Sequence, residues 1–319
     1  YRNFIALEQK AQRSEAHRNY WLDLVKDTNC SWWTSDPQGK AFSKRIELSE
    51  PQAQKIQTLC KSIGIQEKTF FLTVHTVLIS LLNNEEQLLT SVVSNGRPEV
   101  AGGEKTLGLF LNSLPFKVAK QTGTWESLLL AVEKQLVESM AHRHYPLADI
   151  QQELGLDLSA SLFNYVDFHV YDAVPSVINV VEAKQFEKTN FKFAMNCIKD
   201  VRKNIYHIAL ELDSVAFNEE FLLLVERYLS KITETALAQQ NNEVVYEELE
   251  GTAAKTIADA NRNYLIEGLN EVTRLYPKDT CIHTLFESQV QKSPEQIAVS
   301  CDDQTITYKQ LNDRANQLA

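Results

Sequence analysis

Apolar positions along this chain keep two rhythms, a helical one and a strict alternation, and switch between them repeatedly. SEAHRNYWLDLVK (14–26) gathers Tyr20, Trp21, Leu24 and Val25 on one side behind a capping Ser14, which predicts a helix. FSKRIEL (42–48) alternates and predicts a strand. At 49–64 a helix is framed by Ser49 as N-cap, Gln52 at the capping-box position, Pro51 in the first turn and Gly64 as the stop. KTFFLTVHTVLISLLNN (68–84) is apolar on nearly every side, which predicts a buried helix. Strands at 88–94 and 113–118 flank a long glycine-bearing loop. An amphipathic helix follows at 124–143 with Thr124 as cap, then a short helix over 146–154 beginning at Pro146. Strands are predicted at 162–171, 177–183, 191–198 and 204–213, the last two as paired neighbours, and a long helix at 217–240 capped by Asn218.

Beyond residue 240 the texture changes. Residues 241–268 are polar and weakly periodic, as linkers are. A helix at 284–294, strands at 297–301 and 305–307, and a helix from 308 follow, with Thr307 and Gln310 forming a second capping box. So short a segment cannot close a core alone and reads as the beginning of a new domain. A start at Tyr1 and an end inside a helical pattern at Ala319 imply a piece of something longer. The sum is an α/β chain with a mixed sheet and flanking helices, then a linker, then a stub.

Composition narrows the function classes. The 319 residues suggest roughly two domains. A formal charge of −10 argues against nucleic acid or an anionic membrane as partner, since phosphates would be repelled. Five cysteines, at 30, 60, 197, 281 and 301, are odd in number and form no C-x-x-C, which implies reduced thiols serving as small core residues in the cytoplasm. The longest apolar run, 70–82, is too short to span a membrane, and no signal-peptide pattern occurs.

The residues that carry chemistry are few. None of the seven histidines has a histidine or an aspartate four residues on, so neither a helical metal pair nor an H-x-x-x-D base is present. His75 sits in an apolar helix as a core histidine. His142 and His144 flank Arg143 at a helix end, where they would meet free carbonyls. No G-x-S-x-G and no P-loop occur. The strand 162–171 places Leu162, Asn164, Val166, Phe168 and Val170 on one face, and Phe163, Tyr165, Asp167, His169 and Tyr171 on the other. The second face suits either a wet cavity or a half-exposed edge strand. The loop within 94–116 holds four of the chain's 10 glycines and leads to Asn112 inside an apolar run. It is either a surface excursion or a structured element approaching something.

GLFLNSLPFKV (108–118) resembles the G-x-F-x-N-T-x-P segment of nonribosomal peptide synthetase condensation domains, with Ser113 for the usual Thr. SNGRPE (94–99) resembles the family's Gly-Arg entry into a loop that floors the active-site tunnel. YRNFIALEQ (1–9) is similar to its Tyr-x-Asp-Phe segment with Asn3 for Asp, and NYWLDLV (19–25) to the Tyr-Trp helix after it. HRHYPLADI (142–150) resembles H-Q-D-Y-P-F-E, departing at Arg143, His144 and Leu147. SASLFNYVDFHVY (159–171) stands where the R-D-x-S-R-x-P-L motif would, without its arginine, which hints at a fatty-acyl or polyketide donor. Residues 264–287 resemble the condensation-to-adenylation connector through Asn270, Thr273, Tyr276 and Pro277, and 285–319 look like the opening of an adenylation domain.

The resemblance implies a lobe like chloramphenicol acetyltransferase over 1–245, a linker over 246–280 and an incomplete adenylation stub over 281–319. It implies amide formation between a carrier-bound thioester donor and a carrier-bound aminoacyl acceptor. It further implies that Gly96, Arg97, Gly108, Phe110 and Asn112 form floor and tunnel, that Asn164 and His169 face the tunnel, and that Trp21 anchors the opposite lobe. The family's H-H-x-x-x-D-G motif is absent from the chain, so no catalytic residue is assigned and the fragment alone is expected to be inactive. Expected partners are the N-terminal lobe of the domain, donor and acceptor carrier domains bearing phosphopantetheine, and the remainder of the adenylation domain, which would use ATP and Mg. No cofactor is expected on this chain itself. Two other readings stay open: a noncatalytic carrier-docking lobe, and a CoA-dependent acyltransferase using His169 with Asp167 or Asp172.

Overall fold

Capping chemistry sets the helix starts. In the computed structural model, Ser49 and Gln52 close the predicted capping box and Gly64 ends the helix at φ 74°. The structure describes residues 1–26, 28, 42–83, 87–120, 122–167, 190–212, 219–238, 241–246, 248–249, 281–301 and 304–318. The chain separates into two units, Tyr1–Asp259 and Ala260–Ala319.

The first unit holds helices α1 (Arg2–Gln12), α2 (Glu15–Val25), α3 (Glu50–Ile63), α4 (Glu67–Asn83), α5 (Trp125–Met140), α6 (Leu147–Leu154) and α7 (Glu219–Ala238). Its strands are β1 (Phe42–Leu48), β2 (Gln87–Asn95), β3 (Leu111–Ala119), β4 (Ser161–Asp167), β5 (Phe193–Asp200) and β6 (Ile205–Leu212). They form one sheet in the order β1-β6-β5-β4-β2-β3. β4 runs parallel to both β2 and β5, and the other pairs are antiparallel, so the sheet is mixed. Pro115 is tolerated in β3 because that strand ends the sheet and owes hydrogen bonds to one neighbour only. The other end, β1, carries Lys44, Arg45 and Glu47.

α4 is buried from Thr69 to Leu81, as its all-round apolar pattern requires. The main core packs α3, α4, α5 and α7 on one sheet face through residues such as Phe71, Phe116, Phe163, Met195 and Tyr206. A smaller core gathers Ala11, Trp21, Val25, Tyr145 and Ile150 against Leu89 and Leu114 of β2 and β3. It carries α1, a helix that the sequence pattern left unassigned although Phe4, Leu7 and Ala11 keep the spacing of one helical face.

Strand β4 differs from both readings of its pattern. It lies inside the sheet rather than at an edge. Phe163 is fully buried and Tyr165 packs on the main core beside Phe71, so this half of the face meets helices rather than water. The Tyr165 hydroxyl donates to Glu67 at 3.0 Å, and Lys199 Nζ stands 2.8 Å from the same carboxylate. Burial pushes the Glu67 carboxyl up, but hydrogen bonds from Lys199, Tyr206 and Tyr165 reverse this and hold it below its ordinary value. That cluster fixes the N-terminus of α4 against β4, β5 and β6.

His75 is the core histidine its setting predicts. It is fully buried, Nε2 lies 2.8 Å from Thr90 Oγ1, and burial lowers its pKa to about 3. The unfolded chain accepts a proton here below about pH 6.5, whereas the folded chain refuses it until about 3. Stability is therefore expected to fall as pH drops below ~6.5. Urea unfolding at a series of pH values checks this. His75→Leu, which leaves Thr90 bonded to Ser161, is expected to flatten the slope.

Cysteine usage matches expectation in part. Cys60 and Cys197 are buried, and burial pushes the Cys60 thiol up to about 12, but Cys281 and Cys301 are exposed. Cys30, the predicted strand 177–183 and the cap at Asn218 lie outside the described residues.

In the second unit, α8 (Ile282–Lys292), the antiparallel pair β7 (Ile297–Cys301) and β8 (Gln304–Thr307), and α9 (Tyr308–Leu318) follow the predicted order. Thr307 and Gln310 bond reciprocally, backbone to side chain, as the capping box predicts. Neither helix buries a single residue.

Candidate functional site

Five of the predicted site residues converge on one loop. Gly96 leaves β2, and its N–H donates to the carbonyl of Phe110 at 2.7 Å, closing 96–110 into a tied loop. Arg97 staples the interior of that loop. Its guanidinium donates to the carbonyls of Gly103 at 2.8 Å and Thr106 at 2.5 Å, and lies 4.1 Å over the Phe110 ring. The loop is therefore a structured element, with a short 3₁₀ turn at Gly103–Lys105.

What the glycines approach is the chain's own first helix. A Cβ on Gly96 would stand 2.8 Å from Phe4 Cε2 and 3.2 Å from the Phe110 carbonyl oxygen. Gly108 has φ 151°, and a Cβ there would run into the Tyr1 ring. Tyr1, Phe4 and Phe110 pack mutually with centroids 5.3 to 5.6 Å apart, Phe110 meeting both other rings edge to face, and Phe110 is buried. The outward side of the loop is apolar at its C-terminal end, where Leu107, Leu109 and Leu111 are 91%, 70% and 57% exposed.

Asn112 ties β3 to the turn after α5. Its amide donates to the carbonyls of Arg143 at 3.1 Å and Tyr145 at 2.8 Å. The same turn reaches the loop through His144, whose Nε2 lies 3.0 Å from the Gly96 carbonyl oxygen. His144 titrates below its ordinary value, chiefly through burial. The histidines do not cap α5 as its pattern suggested. Arg143 does, donating to the Met140 carbonyl at 3.0 Å while it pairs with Glu99. The reason is geometric: α5 stops at Met140, so His142 and His144 fall in the turn and face α2 and the loop.

Trp21 also departs from expectation. It has no exposed surface, and its indole N–H donates to the His142 carbonyl at 3.2 Å, so it anchors the smaller core and leaves no face to pack on an opposite lobe. Asn164 stands apart from the cluster. It lies on β4 and donates to Asn196 Oδ1 of its register partner in β5 at 3.1 Å. His169 lies outside the described residues, as does Asp172. His17 is a participant that the sequence pattern did not single out, and Tyr1, Phe4 and Tyr20 entered it only as parts of a family segment and a helix face, not as site residues. His17 and Tyr20 share a helical face three residues apart, which was the available signal. Among the described residues, no three His, Cys, Asp or Glu side chains are placed to hold a metal ion.

Residues 1–255 match the family model described as "Condensation domain". The chain belongs to the condensation-domain family. This condensation-domain chain is 27% identical over 337 residues to tyrocidine synthase 2 of Brevibacillus parabrevis, an alignment covering 100% of this chain and 9% of that protein. It is 25% identical over 343 residues to gramicidin S synthase 2 of Brevibacillus brevis, covering 100% of this chain and 7% of that one. It thus spans less than a tenth of the length of these curated relatives. Among solved structures, the condensation domain of the monacolin K polyketide synthase MokA matches with TM-score 0.64 and 14% identity, over 77% of this chain and 62% of that one. The four-domain nonribosomal peptide synthetase AB3403, bound to AMP and glycine, also matches at 0.64 and 14%, over 93% and 24%. At such identities the likeness is one of fold, and it makes the α/β architecture that of condensation-domain structures.

Proposed function

We propose that this chain is the C-terminal lobe of a peptide-synthetase condensation domain, over 1–245, followed by a linker over 246–280 and the first part of an adenylation domain over 281–319. The parent reaction is amide formation, in which the acceptor's amine attacks a donor thioester, both carried on phosphopantetheine arms of carrier domains. The observation that carries this reading is the loop 96–110, tied onto α1 and to the 141–145 turn in a chain of this family. Gly96, Arg97, Gly108, Phe110 and Asn112 build that floor by holding backbone in place. The outward leucines 107, 109 and 111 suit a covering lobe, which is the N-terminal half bearing the H-H-x-x-x-D-G motif. The unburied faces of α8 and α9 suit the remainder of an adenylation domain. The departure from the R-D-x-S-R-x-P-L motif fits a fatty-acyl or polyketide donor.

A second reading, a carrier-docking lobe without catalysis, draws on the same exposed leucines. One assay separates the readings: transfer from a carrier-bound donor to a carrier-bound acceptor, with the chain alone and with the N-terminal lobe added in trans. Product only with both lobes is expected. Product from the chain alone would instead favour the acyltransferase reading through His169. Carrier binding without product in either case would leave the docking lobe.

A further inference from the structure

His17 and His142 lie 125 positions apart in sequence, yet their Nδ1 atoms stand 2.7 Å from each other. The ring centroids are 4.8 Å apart and the planes cross at 81°, so each Nδ1 points almost directly at the other. This is the geometry of an N–H···N hydrogen bond. It is too close for two nitrogens on one metal ion, which at ~2.0–2.1 Å each in a tetrahedral site stand ~3.3 Å apart. Tyr20 stacks on His142 with centroids 3.9 Å apart and planes within 2°, so the ring is clamped from the side as well.

Such a bond requires one ring to carry hydrogen on Nδ1 and the other to leave it bare. Proton counting follows. One added proton settles on the outer nitrogen of the donor ring, and the bond survives as imidazolium to imidazole. A second puts hydrogen on both facing nitrogens and charge on both rings, and the contact opens. His142 is the ring held neutral: burial and the neighbouring His17 lower its affinity for protons. The other charged and titratable groups nearby are His144 and Lys10, which line the same small cavity as His17, and Arg143, engaged with Glu99. Glu138 of α5 faces Tyr20, and Arg18 of α2 pairs with Glu153 of α6.

The His142 ring sits on the turn that orients the floor. That turn supplies the two carbonyls accepting from Asn112, the His144 ring on the Gly96 carbonyl, and the carbonyl accepting from Trp21. We propose that His17 and His142 are positioning residues: a clasp, tolerant of one extra proton but not two, that pins the 141–145 turn to α2 and so sets Asn112 and the Gly96 carbonyl. The clasp stands on geometry alone; its bearing on amide formation rests on the reading of this lobe as tunnel floor.

The test is a histidine ¹⁵N titration of the 319-residue chain by NMR, from about pH 7.5 to about pH 5. Near neutrality one ring of the pair is expected to carry its hydrogen on Nδ1 and the other on Nε2. On acidification the pair is expected to take up one proton readily and the second only at lower pH than a free imidazole. The Gly96 amide and Asn112 side-chain amide signals should move with the second. In the double variant H17N/H142N, an amide pair replaces the bond without titrating, so the movement of those two signals over the same range should shrink to what His144 alone causes. His75 refuses a proton until about pH 3 and stays silent over this range, whereas His144, on the Gly96 carbonyl, is present in both chains and supplies the common background. Independent titration of His17 and His142 at ordinary values overturns the proposal. So does identical movement of the two signals in both chains. If the double variant does not fold, the wild-type titration decides by itself. A silent transfer assay leaves this result standing, and a failed clasp leaves the transfer assay unaffected.

Discussion

Trp21→Ala is expected to destabilise the first unit by about 3–5 kcal/mol, the usual cost of emptying a buried tryptophan site. The side chain has no exposed surface and is the largest member of the smaller core. Its loss also strands the His142 carbonyl that accepts from the indole. Because that carbonyl belongs to the turn holding Asn112, the damage is expected to reach the loop and not only the stability. Denaturant unfolding measures the first part. Limited proteolysis of 96–110 at a denaturant concentration where the variant is still folded measures the second. A variant that unfolds with wild-type midpoint would show that the smaller core tolerates a large void.

Asn112→Ala is expected to cost about 2 kcal/mol, since two hydrogen bonds vanish and two part-buried carbonyls lose a donor. Asn112→Asp should cost more despite its nearly identical shape, because it aims a carboxylate at the same two carbonyl oxygens. The order Asn < Ala < Asp in destabilisation is the diagnostic. It identifies the side chain as a double donor, and the reverse order of Ala and Asp would identify it as a space-filler. In the two-lobe transfer assay the Ala variant is expected to lose product formation at a temperature where it remains folded. Wild-type product from a stable Asn112→Ala chain would remove Asn112 from the proposed tunnel.

Much of this was legible in the sequence because it is local. Ser49 with Gln52, Thr124, and Thr307 with Gln310 mark helix starts through bonds that close within three residues, and Pro146 marks one through its fixed backbone angle. The buried character of α4 was legible for another reason: thirteen consecutive buried positions leave no polar face to misplace. What stayed hidden depends on distant partners. The alternation in β4 cannot say whether its aromatic face meets water or helices; α3 and α4 decide that. His142 looked like a helix cap because its neighbours define a helix end, whereas its actual partner is His17 across the smaller core. The glycines at 96 and 108 announced a close approach, but not that the approaching group would be an aromatic ring from the first four residues.

The two ends of the sheet bear on how the isolated chain behaves at high concentration. A strand with free hydrogen-bonding groups along one side invites another chain to add on, which is how fibrils begin. Here one terminal strand is interrupted by Pro115, which lacks an N–H, and the other carries Lys44, Arg45 and Glu47. Among the described strands of the six-stranded sheet, that leaves no smooth template for growth. Exposed apolar surface lies instead in the leucines of the loop and in residues of the second unit such as Ile282, Ile297 and Leu318, so crowded preparations should form small, reversible clusters rather than fibres. A lysine in place of Leu107, the most exposed of the loop leucines, should weaken them.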